Sequence, residues 1–206
     1  MIKIAAFLLP KKEILKKIIY FKKQVKKKFG EQPYLNHPPH CTLFTIYANE
    51  KTVYGKEFKK ELILNLSKYT NNNINIYKTS VFRDDPLTGG NTIIFKVKKN
   101  TYIKKIQKIL LKRFNKISLK KNVKEKLKYK WMKKNFSIYG YPFVGKNWIP
   151  HFTIASINIS DNKDEFINNF INYKLYLNEY IFKVSFYEVR KNNHIFLWDI
   201  DIKNHV

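Results

Sequence analysis

Two short strings in the chain are near copies of each other. Pro39-His40-Cys41-Thr42-Leu43 and Pro150-His151-Phe152-Thr153-Ile154 both read Pro-His-x-Thr followed by a branched aliphatic residue. With five histidines and sixteen Ser or Thr in 206 residues, chance supplies fewer than one His-x-Ser/Thr match. The shared proline, the shared aliphatic and the equivalent places in two halves of the chain make coincidence a poor account. Residues i and i+2 of a strand project from one face. His40 and Thr42 therefore point one way, with Cys41 and Leu43 in the opposite layer. His151 and Thr153 are related to Phe152 and Ile154 in the same way. Two such strands side by side would present two imidazoles and two hydroxyls to one cleft. That set suits phosphoryl chemistry without a metal. One neutral imidazole can take a proton from an attacking oxygen, and one imidazolium can protonate a leaving oxygen. The hydroxyls can donate hydrogen bonds to non-bridging phosphate oxygens.

The elements that would position these residues follow from periodicity. Residues 2–9 read as a strand and 11–29 as a helix with Ile14, Leu15, Ile18, Ile19 and Val25 at helical spacing, ended by Gly30. Strands follow at 41–47 and 74–82, with a helix at 57–69 between them and a turn at 71–73. The chain then starts over, with a strand at 92–97, a lysine-faced helix at 102–114 and a lysine-rich connector over 115–140. A strand at 151–157, a helix at 162–173 and strands at 180–190 and 194–202 complete it. Both halves read strand, helix, strand, helix, strand, an internal duplication with lobes of roughly 1–90 and 91–206.

Other residues carry weaker signals. His37 precedes His40 by three, but no Cys or carboxylate cluster accompanies it, so no metal site is expected. His194 and His205 are expected at the surface. Cys41 is expected to be an inert core thiol. Gly89-Gly90 lacks any phosphate-loop pattern and reads as a turn. Lys26-Lys27-Lys28 and Lys120-Lys121 read as solvated faces. Trp131, Tyr139, Tyr141 and Phe143 could stack on a base or fill a core. Arg83 and Arg190 could steer a phosphate.

Composition bounds the rest. The apolar share is 44% and the aromatic share 16%, which excludes a disordered tail or a collagen-like fibre. One cysteine cannot form an internal disulfide. The longest early apolar run, Ile4–Leu9, is the length of a buried strand, so no membrane span is expected. Pro10 and two lysines follow it without a small-residue cleavage site, so a cytoplasmic protein without a signal peptide is expected. The net charge is +26, and only Arg83, Arg113 and Arg190 among the 41 basic residues are arginine. A field of that sign attracts nucleic acid, nucleotide phosphates and anionic surfaces.

Trp148-Ile149-Pro150-His151-Phe152-Thr153-Ile154-Ala155 and Asn36-His37-Pro38-Pro39-His40-Cys41-Thr42-Leu43 resemble the two motifs of the 2H phosphoesterase superfamily, which includes RNA 2′,3′-cyclic phosphodiesterases, also called 2′-5′ RNA ligases. The resemblance covers the chain by element order. It implies an α+β fold of two pseudo-symmetric lobes, each an antiparallel sheet with outer helices, around a central cleft. It implies His40 and His151 as catalytic residues, Thr42 and Thr153 as phosphate-binding residues, no cofactor and no metal. RNA ends or small nucleotides are the implied substrates of a monomer with no membrane partner. The competing reading is a non-catalytic RNA- or nucleotide-binding module on the same fold. A third, a membrane-surface protein, would need the Ile14, Leu15, Ile18, Ile19 stripe exposed, whereas it is expected to pack on the sheet.

Overall fold

The structure is a computed structural model. It describes residues 1–66, 73–85, 87–119, 127, 129–158, 165–180, 183–190 and 193–202. The elements run β1 (Ile2–Leu8), α1 (Lys12–Phe29), β2 (Cys41–Ala48), α2 (Glu50–Tyr54), α3 (Lys56–Leu66), β3 (Asn73–Phe82), β4 (Asn91–Val97), α4 (Thr101–Asn115), α5 (Lys130–Tyr139), β5 (His151–Ile157), α6 (Glu165–Asn172), β6 (Leu177–Tyr180), β7 (Lys183–Arg190) and β8 (Asn193–Asp201).

α1 shows how sequence makes these elements. Ile14, Ile18, Phe21 and Val25 are buried along one face, and lysines cover the rest. Ile19 of the expected stripe is 41% exposed, and Phe21 takes its place in the core. Gly30 ends the helix at φ 71°, donating its amide to the Lys26 carbonyl at 2.9 Å. At the other end the Glu179 carboxylate accepts from the amides of Lys11 (3.0 Å) and Ile14 (2.9 Å), satisfying donors that a helix leaves open. Two helices escape the periodicity reading. α2 is a single turn capped by the Asn49 side chain, which accepts from the Lys51 amide at 3.0 Å. α5 lies in the lysine-rich connector and buries no residue, so no apolar stripe announces it. Its signal is Gly140, left-handed at φ 68°. Of the turn expected at 71–73, Asn73 opens β3, while residues 71 and 72, Lys120-Lys121 and His205 fall outside the described residues.

The eight strands form one antiparallel sheet in the order β6-β3-β4-β5-β2-β1-β7-β8. β2 and β5 join its two four-stranded parts through one residue pair, Cys41 opposite Phe152. The parts are not the sequence halves that meet at residue 90. β3 has crossed to lie beside β4, and β7–β8 lie beside β1. The strands of one part therefore all come from between residues 73 and 180, and those of the other from 2–48 and 183–201.

Four helices cover one face. α1 packs on β5, α4 on β2, α6 on β3 and α3 on β8. Their apolar sides merge with Ile4, Leu43, Phe95, Phe152 and Phe186 into one hydrophobic cluster. Ala5, Phe7 and Ile94 are equally buried but stand outside that cluster, on the other face. None of these four helices packs on that second face, and it is where the two motifs point. No helix among the described residues is long and apolar enough to cross a membrane.

Candidate active site

Both motifs are followed by a β-bulge at the same step. Across β1 and β2 the partners are Ala6↔Phe44 and then Phe7↔Thr42, which leaves Leu43 as the extra residue. Across β4 and β5 they are Ile93↔Ala155 and then Ile94↔Thr153, which leaves Ile154 as the extra residue. A bulge sends two consecutive residues toward one side. Leu43 and Phe44 are buried together, as are Ile154 and Ala155. His40, Thr42, His151 and Thr153 remain half-buried on the second face, with Cys41 and Phe152 fully buried behind them. The two bulges are a structural repeat stronger than the sequence repeat.

The Cys41↔Phe152 pair fixes the geometry of the four residues. One step along an antiparallel register places His40 opposite Thr153 and Thr42 opposite His151. Each histidine position thus lies across the strand boundary from a threonine position, and in a regular ladder the histidines stand on the diagonal, ~7–8 Å apart at Cα. Both rings are oriented in one way. His40 Nδ1 lies 2.7 Å from the Pro38 carbonyl, and His151 Nδ1 lies 2.7 Å from the Ile149 carbonyl. A carbonyl can only accept, so each Nδ1 carries the proton and each Nε2 is left with its lone pair.

Burial lowers the proton affinity of both rings. His40 is pushed down to about 3, chiefly by burial, and by His194, His37 and His151 nearby; the Pro38 contact opposes this. His151 is lowered by burial and by Lys96, while the Ile149 contact and the Asp85 carboxylate act in the opposite direction. The same burial raises the Cys41 thiol to about 12, so it is a core group as expected.

Several supports lack any motif in the sequence. Phe7 stacks on His40 at 4.0 Å between centroids and 27° between planes. Phe82 meets His151 edge-on at 5.0 Å. The Trp148 indole N–H donates to the Thr42 carbonyl at 3.1 Å, tying the second motif to the first. Buried Gln107 of α4 donates its amide to the Leu43 carbonyl in the bulge (2.8 Å) and to the Phe143 carbonyl (3.0 Å). Lys22 Nζ holds the loop entering β2, donating to the carbonyls of Tyr34 (2.6 Å), Leu35 (3.0 Å) and His37 (2.7 Å).

His194 departs from its expected place at the surface. Its ring lies 5.2 Å from those of His40 and Phe7 and 5.5 Å from that of His37. β8 brings it there by folding back beside β7, a placement that local pattern does not encode. Among the described residues no group of three His, Cys, Asp or Glu side chains is gathered as metal ligands are. Gly89 and Gly90 belong to a turn closed on Asp85, with Gly89 N to Asp85 O at 2.7 Å and Asp85 N to Gly90 O at 2.9 Å. A Cβ on Gly90 would come within 2.9 Å of the Ile157 carbonyl and of the Ser156 hydroxyl, so this glycine serves close packing on β5. Arg190 is engaged in a two-point pair with Glu188, at 2.7 and 2.9 Å.

The fold has solved counterparts. A protein from Thermus thermophilus covers 99% of this chain and all of its own length, at TM-score 0.63 and 12% identity. A protein described as a phosphoesterase covers 98% of this chain and 99% of its own, at 0.55 and 9%. E. coli LigT in complex with 3′-AMP covers 98% of both chains, at 0.54 and 10%. This is the fold of the 2H phosphoesterases. By sequence alone the chain matches no family model and no curated protein.

Proposed function

We propose that the protein is a metal-independent phosphodiesterase that hydrolyses 2′,3′-cyclic phosphates, or 2′-5′ linkages, at RNA ends or in small nucleotides. One observation carries the reading: two tautomer-fixed imidazoles with open Nε2 atoms, each across a strand boundary from a threonine, on one face of the sheet. A nucleotide substrate also accords with E. coli LigT, which shares the fold and has been solved with 3′-AMP, ATP and phosphate.

In this mechanism the phosphate sits between Thr42 and Thr153, whose hydroxyls bind its non-bridging oxygens. His40 is the base, because its surroundings hold it most firmly neutral. His151 is the acid, because the Asp85 carboxylate favours its protonated form. His40 Nε2 takes a proton from water as the new O–P bond forms. His151 gives a proton to the ribose oxygen as the old O–P bond breaks. The product is a phosphate monoester and a free hydroxyl. The acid acquires its charge with the substrate, since an incoming phosphate anion raises the proton affinity of an adjacent imidazole.

The test is turnover of nucleoside 2′,3′-cyclic monophosphates by the purified protein in the presence of EDTA. Turnover that survives the chelator supports the reading, and activity restored only by added Mn²⁺ or Zn²⁺ sinks it. A protein that turns over none of them is better read as a nucleotide-binding module, a role that two neutral imidazoles also permit.

A further inference from the structure

The two flanks of the site differ in a way that its symmetry does not require. On the β1 side, Leu8 lies opposite Cys41, so the next residue, Leu9, lies opposite His40. On the β4 side, Lys96 lies opposite His151, at the equivalent position. Beyond Lys96, Lys78 of β3 lies directly opposite it. Thr42, His151, Lys96 and Lys78 thus form one cross-strand row, with Lys96 about 5 Å and Lys78 about 10 Å from His151 along the sheet. Two lysines directly opposed destabilise a sheet unless an anion joins them. Among the described residues neither pairs with a carboxylate, and burial together with Lys78 lowers the proton affinity of Lys96. On the far flank Lys183 is, by contrast, held by Asp199 at 2.9 Å and Asp201 at 3.9 Å.

A cavity of about 260 Å³ opens beside this row, lined by Tyr77, Lys96, Lys98, Lys99, Ile149 and Pro150. Tyr77 is the bulged residue of β3 and is 43% exposed. It also forms a wall of a second cavity of about 380 Å³, with Lys78, Tyr173, Lys174 and Tyr176. Lysines interleaved with exposed tyrosines are the chemistry that holds a single strand, with ammonium groups on phosphates and rings under bases.

We propose that this flank binds the nucleotides preceding the scissile phosphate, so that the substrate is a single-stranded RNA 3′ end of at least two nucleotides. The phosphodiester linking the last two nucleotides lies between Lys96 and Lys78, and the base before it stacks on Tyr77. The strand leaves the site over β4 and β3, never over β1. The proposal rests on the phosphodiesterase reading for its chemistry, and its own content is the direction and length of the substrate.

The experiment compares adenosine 2′,3′-cyclic phosphate with the dinucleotide ApA ending in a 2′,3′-cyclic phosphate, on the whole protein. The dinucleotide should be preferred by about tenfold or more in kcat/KM. Lys78→Ala/Lys96→Ala should abolish that preference, and Lys105→Ala/Lys108→Ala, equal in charge but on exposed positions of α4, should keep it. No preference in the wild type, or one that survives Lys78→Ala/Lys96→Ala, overturns the proposal. If neither substrate turns over, the phosphodiesterase reading fails by itself. The subsite is then decided by anisotropy of a 5′-fluorescein trinucleotide with a 3′-phosphate. Binding weakened about tenfold by Lys78→Ala/Lys96→Ala and unchanged by Lys105→Ala/Lys108→Ala upholds it, and equal binding by all three proteins refutes it.

Discussion

His40 and His151 share an orienting device and differ in surroundings, and both facts bear on pH. Residue type alone puts both limbs of a bell-shaped rate profile near ~6–8. Burial lowers both rings, so the limbs of kcat/KM, which report the free protein, move below the ordinary imidazole value of about 6.5. The profile of kcat should lie at higher pH, because bound phosphate restores proton affinity. Coincident profiles in a pH series would argue against this. The stability consequence has a definite sign. A depressed folded value means that the unfolded chain binds the proton first, so the contribution is intact above about 6.5 and lost as pH falls toward about 3. Urea midpoints should therefore drop between pH 7 and pH 4, and drop less in His40→Gln. His40→Ala and His151→Ala should each lower the rate by about 10²–10⁴, with the double variant little worse, because acid and base act in one transfer. Wild-type turnover by either single variant removes that residue from the mechanism. The four motif residues were legible because strand alternation is a local rule. His194 and Lys96 were not, because only pairing between strands distant in sequence brings them to the site.

At the scale of elements, the motif strands are weakly joined, with one pair of residues between β2 and β5. Side chains supply what the ladder lacks. Trp148→Phe keeps the ring but leaves the Thr42 carbonyl without its donor, a loss of about 1–3 kcal/mol. Its effect on kcat should exceed its effect on KM, since it shifts one motif against the other. Gln107→Leu orphans the carbonyls of Leu43 and Phe143 and should lower stability by about 2–4 kcal/mol in urea denaturation. A Gln107→Leu protein of wild-type stability would mean that water takes over both carbonyls. Strands and long helices were readable because their apolar residues repeat at two or 3.6 positions. The bulges were not, because Leu43-Phe44 and Ile154-Ala155 look like ordinary apolar pairs until a partner strand shows which one is extra. α5 had no apolar face to betray it.

The whole molecule carries +26, nearly all of it as lysine. Long-range attraction of that kind is screened by salt, so KM for an RNA substrate should rise steeply between about 50 and 200 mM salt while kcat changes little. A KM insensitive to salt would mean that the charge takes no part in capture. The two halves of the sequence repeat one element order, and nothing in that order announces that β3 lies beside β4 and β7–β8 beside β1. Sequence order says which strands exist, and only their apolar faces in three dimensions decide which neighbours they take.

That strand order dictates how the chain can be made. Of the eight strands, β1 leaves the ribosome before the others, and β2 soon covers one of its edges. The other edge waits for Lys183–Arg190, more than a hundred residues later. During that interval Ile2-Lys3-Ile4-Ala5-Ala6-Phe7-Leu8 presents an open, apolar strand edge, the kind of template on which nascent chains aggregate. The strands β3, β4, β5 and β6 can meanwhile pair with one another. A chain stopped after Tyr180 would hold all four motif residues and still be expected to collect in the insoluble fraction. Yield in the cell is thus governed by the final hairpin, a part of the protein remote from its chemistry.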